Sequence, residues 1–251
     1  MNAIGLAAIG VGGSTIIGSA LGFFIKNVSH RTNDTIIGLC AGVMLSAAVL
    51  GLLLPAFDMC PDWSQVWLPC LGVAGGIVVL NLLDSLTPHL HHITGIDEEE
   101  HRHNQHLNHV LLFVMAIALH KFPEGIAAGV GFGGEPIDQA ASVAIAISLQ
   151  NVPEGMVIIS PLLLAGVSRL RTFVIAIVIG ALEVAGVFTG YYVAELSEAV
   201  LPFILALAGG AMLYVVSDEM IPESHAHGYQ KPATYALLAG FVLMILIERL
   251  S

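Results

Sequence analysis

Charge is scarce in this chain. Only 11% of its 251 residues are Asp, Glu, Lys or Arg, against about 25% in a soluble domain. Basic residues are scarcer still: 8 Lys and Arg against 19 Asp and Glu leave a formal net charge of −11. That excludes a nucleic-acid binder, which needs a basic face. Cysteine is limited to Cys40, Cys60 and Cys70, without the spacing of a metal-ligand set. Cys60 and Cys70 flank one short loop, either as a disulfide in an oxidising compartment or as two free thiols. No phosphate-binding glycine loop with a lysine is present, which argues against ATP drive within this chain.

What fills the space is hydrocarbon. Hydrophobic residues make up 56% of the chain and the mean hydropathy is +0.86. A membrane helix needs about 20 mostly apolar residues. Eight segments qualify: 3–25, 35–57, 66–87, 107–132, 139–165, 171–194, 199–218 and 232–250. The chain therefore reads as an all-α, polytopic membrane protein, one transmembrane domain over residues 1–251. The first segment lacks a basic leader and a small-residue cleavage site, so it reads as a span, not a removable signal. The 27 glycines suit helices that pack backbone to backbone.

Basic residues alternate from loop to loop. Lys26 and Arg31 follow span one, Arg102 span three, Arg169 and Arg171 span five, and Lys231 span seven. The intervening loops carry Asp58, Asp62, Glu135, Asp138, Glu195 and Glu198 instead. Only Arg249, at the C-terminal end, falls on the other side; by the positive-inside rule the odd-numbered loops are cytoplasmic and both termini lie outside.

Polar chemistry within the apolar spans is concentrated in a pattern that occurs twice. Leu119-His120-Lys121-Phe122-Pro123-Glu124-Gly125 lies on span four and Leu149-Gln150-Asn151-Val152-Pro153-Glu154-Gly155 on span five. Ionisable residues in a span are costly and by default mark function. His120 and Glu124, four apart, share one helical face, and Gln150 and Glu154 repeat the geometry. A single buried Glu is explained by a hydrogen-bonded neighbour; packing gives no reason for two helices to carry the same polar set. Facing each other, the four offer oxygen and nitrogen donors suited to zinc, iron, manganese or cobalt. Each proline should interrupt its helix and free the carbonyl of Leu119 or Leu149, and paired interrupted spans point to a transporter's binding site.

Glu183 is the lone charge of span six. Either it joins the site or it pairs with Lys121, and Gly186 and Gly190 offer a small-residue face for close approach. Three carboxylates, Glu124, Glu154 and Glu183, against the Lys121 ammonium leave −2, which one divalent cation neutralises. Release of that cation should then be linked to protonation of a carboxylate, since unpaired buried charge is costly. Met44 on span two carries a soft thioether but reads from its surroundings as a core methionine.

The third loop, residues 89–108, is rich in histidine: His89, His91, His92, His101, His103 and His106, with His109 just beyond. It is either a cytoplasmic metal trap or a solvated linker. Asp84 at the end of span three, and Asp218, His225 and His227 at the end of span seven, lie where a release path would open. Solvated helix ends in the headgroup region are the alternative.

The paired motif, eight spans, outside termini and a histidine-rich third loop resemble the ZIP family of divalent-metal transporters. Gln150, where many members have histidine, resembles its GufA-like branch, which includes bacterial members. The resemblance implies a 3+2+3 arrangement of spans and a metal site of His120, Glu124, Gln150 and Glu154, with alternating access. It implies zinc, or cadmium, iron or manganese, carried into the cytoplasm as substrate, with no cofactor. A homodimer in a plasma membrane, bacterial inner membrane by this branch, is implied too. Met44 sits where some bacterial relatives place a methionine ligand. A second metal position in some relatives corresponds to Lys121, Asn151 and Glu183. A charged lysine cannot ligate, so one metal is expected, with the Lys121 ammonium near the second position. Two other readings are a metal-responsive membrane receptor, which the histidine-rich loop would allow, and an intramembrane metal-dependent hydrolase using His120 and Glu124. The hydrolase lacks HExxH and has no need of a duplicated motif.

Overall fold

The computed structural model describes residues 3–24, 29–93, 118, 121–133, 137–164, 166–196 and 199–250. All regular structure among them is helical. We label the helices α1 (Ala3–Gly22), α2 (His30–Asp58), α3 (Trp67–Ile93), α4 (121–133), α5 (Ile137–Leu164), α6 (Arg169–Leu196), α7 (Leu201–Ser224) and α8 (Gln230–Leu250). A helix thus lies on each expected segment, the fourth described from residue 121. Among the described residues, α1, α2, α6, α7 and α8 are long and apolar enough to cross a membrane. The chain is a multi-pass membrane protein.

Among the described residues the most extensive helix contacts are α3 on α7, α1 on α5 and α2 on α8, followed by α1 on α6. Glycines make these contacts close. A Cβ on Gly42 of α2 would sit 1.9 Å from the Leu237 carbonyl oxygen of α8, and one on Gly76 of α3 2.1 Å from that of Leu207 on α7. Without a hydrophobic drive between helices in lipid, such backbone approach is what holds them together. Two groups result: α1, α5 and α6, joined by α4 through glycine contacts on α6, and α2, α3, α7 and α8. α2 lies against α5 between the groups. Exposed Leu238, Val242 and Leu246 on α8 and Val174, Ile177 and Val178 on α6 form faces suited to lipid.

Three expectations are corrected. Pro153 does not interrupt its helix: α5 runs unbroken over 28 residues. Around the proline it is braced by α1, where a Cβ on Gly18 would lie 2.1 Å from the Val152 carbonyl oxygen. The irregular turns fall elsewhere. α2 is π-helical over Ala47–Leu53, before Pro55, and α7 over Val216–Met220, before Pro222. There the amides of Leu54 and Ile221 reach back five residues, to Val49 and Val216. A widened turn makes room for a proline ring that would clash with the carbonyl four residues back. α7 therefore continues to Ser224, and Asp218 sits within it, exposed, instead of at its end. α3 likewise continues to Ile93, so His89, His91 and His92 belong to a helix and not to a loop. Loss of hydropathy ended the expected span there, but backbone hydrogen bonding needs no apolar side chain once a helix is under way. The rest of the histidine-rich segment, from residue 94 to His109, lies outside the described residues.

Candidate metal centre

The repeated motif meets across α4 and α5. Gln150 Nε2 donates to Glu124 Oε1 at 3.0 Å, so the two helices face each other through the polar sets the sequence duplicated. Lys121 is fully buried. Its Nζ donates to Glu124 Oε2 at 2.6 Å, Glu154 Oε2 at 2.7 Å and Asn151 Oδ1 at 2.5 Å. The same ammonium lies 3.8 Å from Glu183 Oε1. The alternatives for Glu183 are thus both realised: it joins the cluster and it is within ion-pair reach of Lys121. Asn151 bridges them, its Nδ2 donating to Glu183 Oε1 at 2.6 Å and to the Val11 carbonyl at 3.1 Å.

α1 completes the site, which sequence reading did not anticipate. Thr15 Oγ1 donates to Glu183 Oε2 at 2.7 Å. Ser19 Oγ donates to the Gly155 carbonyl at 3.3 Å. The motif glycines explain how these backbones come so near. A Cβ on Gly125 would lie 2.1 Å from the Glu183 carbonyl oxygen, and one on Gly155 2.5 Å from that of Thr15. The small-residue face expected on α6 is real: Gly186 meets Phe122 and Gly125, and Gly190 meets Ile126 and Val130.

A second unanticipated neighbour is Cys40 of α2, whose Sγ donates to the Gln150 carbonyl at 3.7 Å. Met44, one turn further along α2, is fully buried in the core, on the helix face that Cys40 shares. All three cysteines are free, Cys40 and Cys60 buried and Cys70 exposed, so the loop carries thiols and not a disulfide.

His120 lies outside the described residues. Among those described, no group of three or more His, Cys, Asp or Glu side chains is arranged around a common metal position; the Lys121 ammonium stands between the carboxylates. One acceptor is left over. Among the described residues Gln150 Oε1 is buried with no hydrogen-bond partner, a condition that costs about 1–3 kcal/mol unless something supplies the missing contact. An amide oxygen is a hard donor that a cation can use.

At the α7 end, His227 Nδ1 lies 2.9 Å from Asp34 Oδ1. His225 is engaged in local structure, with Nδ1 2.8 Å from the Ile221 carbonyl and Nε2 3.1 Å from Thr234 Oγ1. Asp84 lies on α3, its side chain outside the described residues. Nearby on α3, Asn81 Nδ2 donates to the Tyr214 hydroxyl at 3.2 Å.

A family model described as ZIP zinc transporter matches residues 95–248. The zinc transporter GufA of Myxococcus xanthus is 36% identical over 248 residues, 97% of this chain and 96% of that protein. The zinc transporter ZIPB of Bordetella bronchiseptica is 34% identical over 240 residues, 94% of this chain and 77% of that protein. The zinc transporter ZupT of Streptococcus mutans is 28% identical over 243 residues, 92% and 90% of the two chains. Two motif-bearing helices joined through buried carboxylates, together with these near full-length matches, establish that the chain belongs to the ZIP family.

Proposed function

We propose that this protein carries a divalent transition metal, zinc first and also cadmium, iron or manganese, into the cytoplasm through the α4–α5 site. The observation that carries the reading is the buried polar cluster itself. Glu124, Glu154 and Glu183 surround one buried ammonium, beside a Gln150 oxygen that has no hydrogen-bond partner among the described residues. Buried charges are retained against a desolvation cost of several kcal/mol each, which a purely structural core would avoid. The relatives' names as zinc transporters support a transporter over a receptor or hydrolase.

One metal is bound at a time, by His120, Glu124, Gln150 and Glu154, with Met44 as a soft ligand at the α2 boundary. Lys121 holds the position that a second cation would take, with Asn151 and Glu183 as its partners. For the metal to reach both carboxylates, their oxygens must exchange the ammonium for the cation. Proton uptake by a carboxylate then favours release, past Asp84, Asp218, His225 and His227. Apart from Met44 on α2, the site's residues come from α1, α4, α5 and α6, one of the two packed groups. This supports alternating access by motion of that group against α2, α3, α7 and α8. The chain works as a homodimer in a bacterial inner membrane, with eight spans in a 3+2+3 arrangement, both termini outside and no bound cofactor.

The test is zinc and cadmium flux into proteoliposomes holding a metal dye, comparing wild type with Glu154→Ala. Flux in wild type and none in the variant is expected. Equal flux in both moves the pathway elsewhere. No flux in either, with metal binding retained, favours the receptor or hydrolase.

A further inference from the structure

A second polar cluster lies apart from the α4–α5 site, where the start of α2 meets the turn between α7 and α8. Asp34 is fully buried. Its Oδ1 accepts from His227 Nδ1 at 2.9 Å, and its Oδ2 has no partner among the described residues. Among the described residues His227 is its only ionic partner. His30, one turn before Asp34 on the same helix face, stacks on His227, with ring centroids 4.4 Å apart and planes 22° from parallel. The turn is shaped for this: Gly228, at φ 88°, takes the left-handed conformation that an ordinary side chain resists, directly after His227.

We propose that His30 and His227, oriented by Asp34, bind a divalent transition-metal ion. With its Nδ1–H held by a carboxylate, an imidazole presents a lone pair on Nε2, the arrangement that orients metal-ligating histidines. His227 remains one-third exposed and His30 is exposed, so both rings are open to an arriving ion. In the present arrangement the rings lie face to face. A turn of the exposed His30 side chain brings its nitrogen beside that of His227, and the cation supplies the positive charge that the buried carboxylate lacks. Arg31 and Lys231 flank the cluster in sequence, which places it on the cytoplasmic side by the positive-inside rule. A role in metal release rests on the transport reading above; binding at this cluster does not.

Zinc chloride titrated into the purified protein against a competing dye tests this, with wild type, His30→Gln, Asp34→Asn and Glu154→Ala compared. His30→Gln should lose one zinc equivalent that Glu154→Ala retains, and the double variant should lose both. Asp34→Asn should weaken that equivalent about ten- to a hundred-fold, the usual cost of removing an orienting partner. Unchanged stoichiometry and affinity in His30→Gln would overturn the proposal and leave Asp34–His227 as a structural latch. His30 is exposed and makes no hydrogen bond through its ring among those described, so that variant folds and decides the matter even if Asp34→Asn does not fold. The Glu154→Ala result reports separately on the α4–α5 site.

Discussion

Lys121 is the residue on which the site's electrostatics turn. It is buried among three carboxylates and bonded directly to two of them. Removing one partner of a buried ion pair leaves the other charge uncompensated, at about 3–5 kcal/mol. Lys121→Met should therefore lower stability by roughly that much when metal is chelated, and zinc should recover most of the loss by taking the ammonium's place. Thermal unfolding in detergent with and without zinc measures both effects. Equal stability of the two chelated proteins would mean that the carboxylates are already protonated, and the −2 charge balance would fail. Much of this was legible beforehand: the duplicated motif named Glu124, Gln150 and Glu154, and charge counting brought in Lys121 and Glu183. Thr15 and Cys40 were not legible. A hydroxyl or thiol in an apolar helix has the same appearance whether it faces lipid, backbone or a carboxylate.

At the scale of the helix, the motif's glycines matter as much as its acids. Gly125 and Gly186 face each other with Cα atoms inside a Cβ's reach, and a Cβ on Gly186 would lie 2.3 Å from the Phe122 carbonyl oxygen. Gly186→Ala should push α6 away from α4 and carry the Glu183 carboxylate from Lys121. Overpacking of this kind costs about 1–3 kcal/mol. Gly13→Ala on α1, where a Cβ meets nothing within 4 Å, should instead be neutral or gain up to about 1 kcal/mol from helix propensity. Melting temperatures of the two variants, read beside zinc affinity, check the contrast; a Gly186→Ala protein as stable as wild type would refute the close-contact account. The prolines teach the opposite lesson. Pro153 is accommodated within a continuous α-helix, while Pro55 and Pro222 each follow a π-helical turn. Whether a proline breaks a helix depends on what neighbouring helices brace, which local sequence does not contain.

For the whole molecule, orientation decides which loops face the cytoplasm. Asp62 is exposed in the loop between α2 and α3, on the side that loop charge places outside. In a Cys70→Ala background, Cys40 and Cys60 stay buried. Asp62→Cys should then react with a membrane-impermeant maleimide on intact spheroplasts. Labelling only after permeabilisation would invert the topology.

The sequence alone determined that the chain lies in a membrane, which segments form its helices, and which two of them carry the duplicated polar motif. Those properties follow from local quantities: apolar length, the placement of positive charge, and the cost of an ionisable residue in hydrocarbon. Only the tertiary structure decided that α1 closes the site and that α2 borders it. It alone joined Asp34 to a histidine 193 residues away. Such contacts depend on which small residues let which backbones approach, and twenty-seven glycines allow more pairings than any one-dimensional pattern can rank.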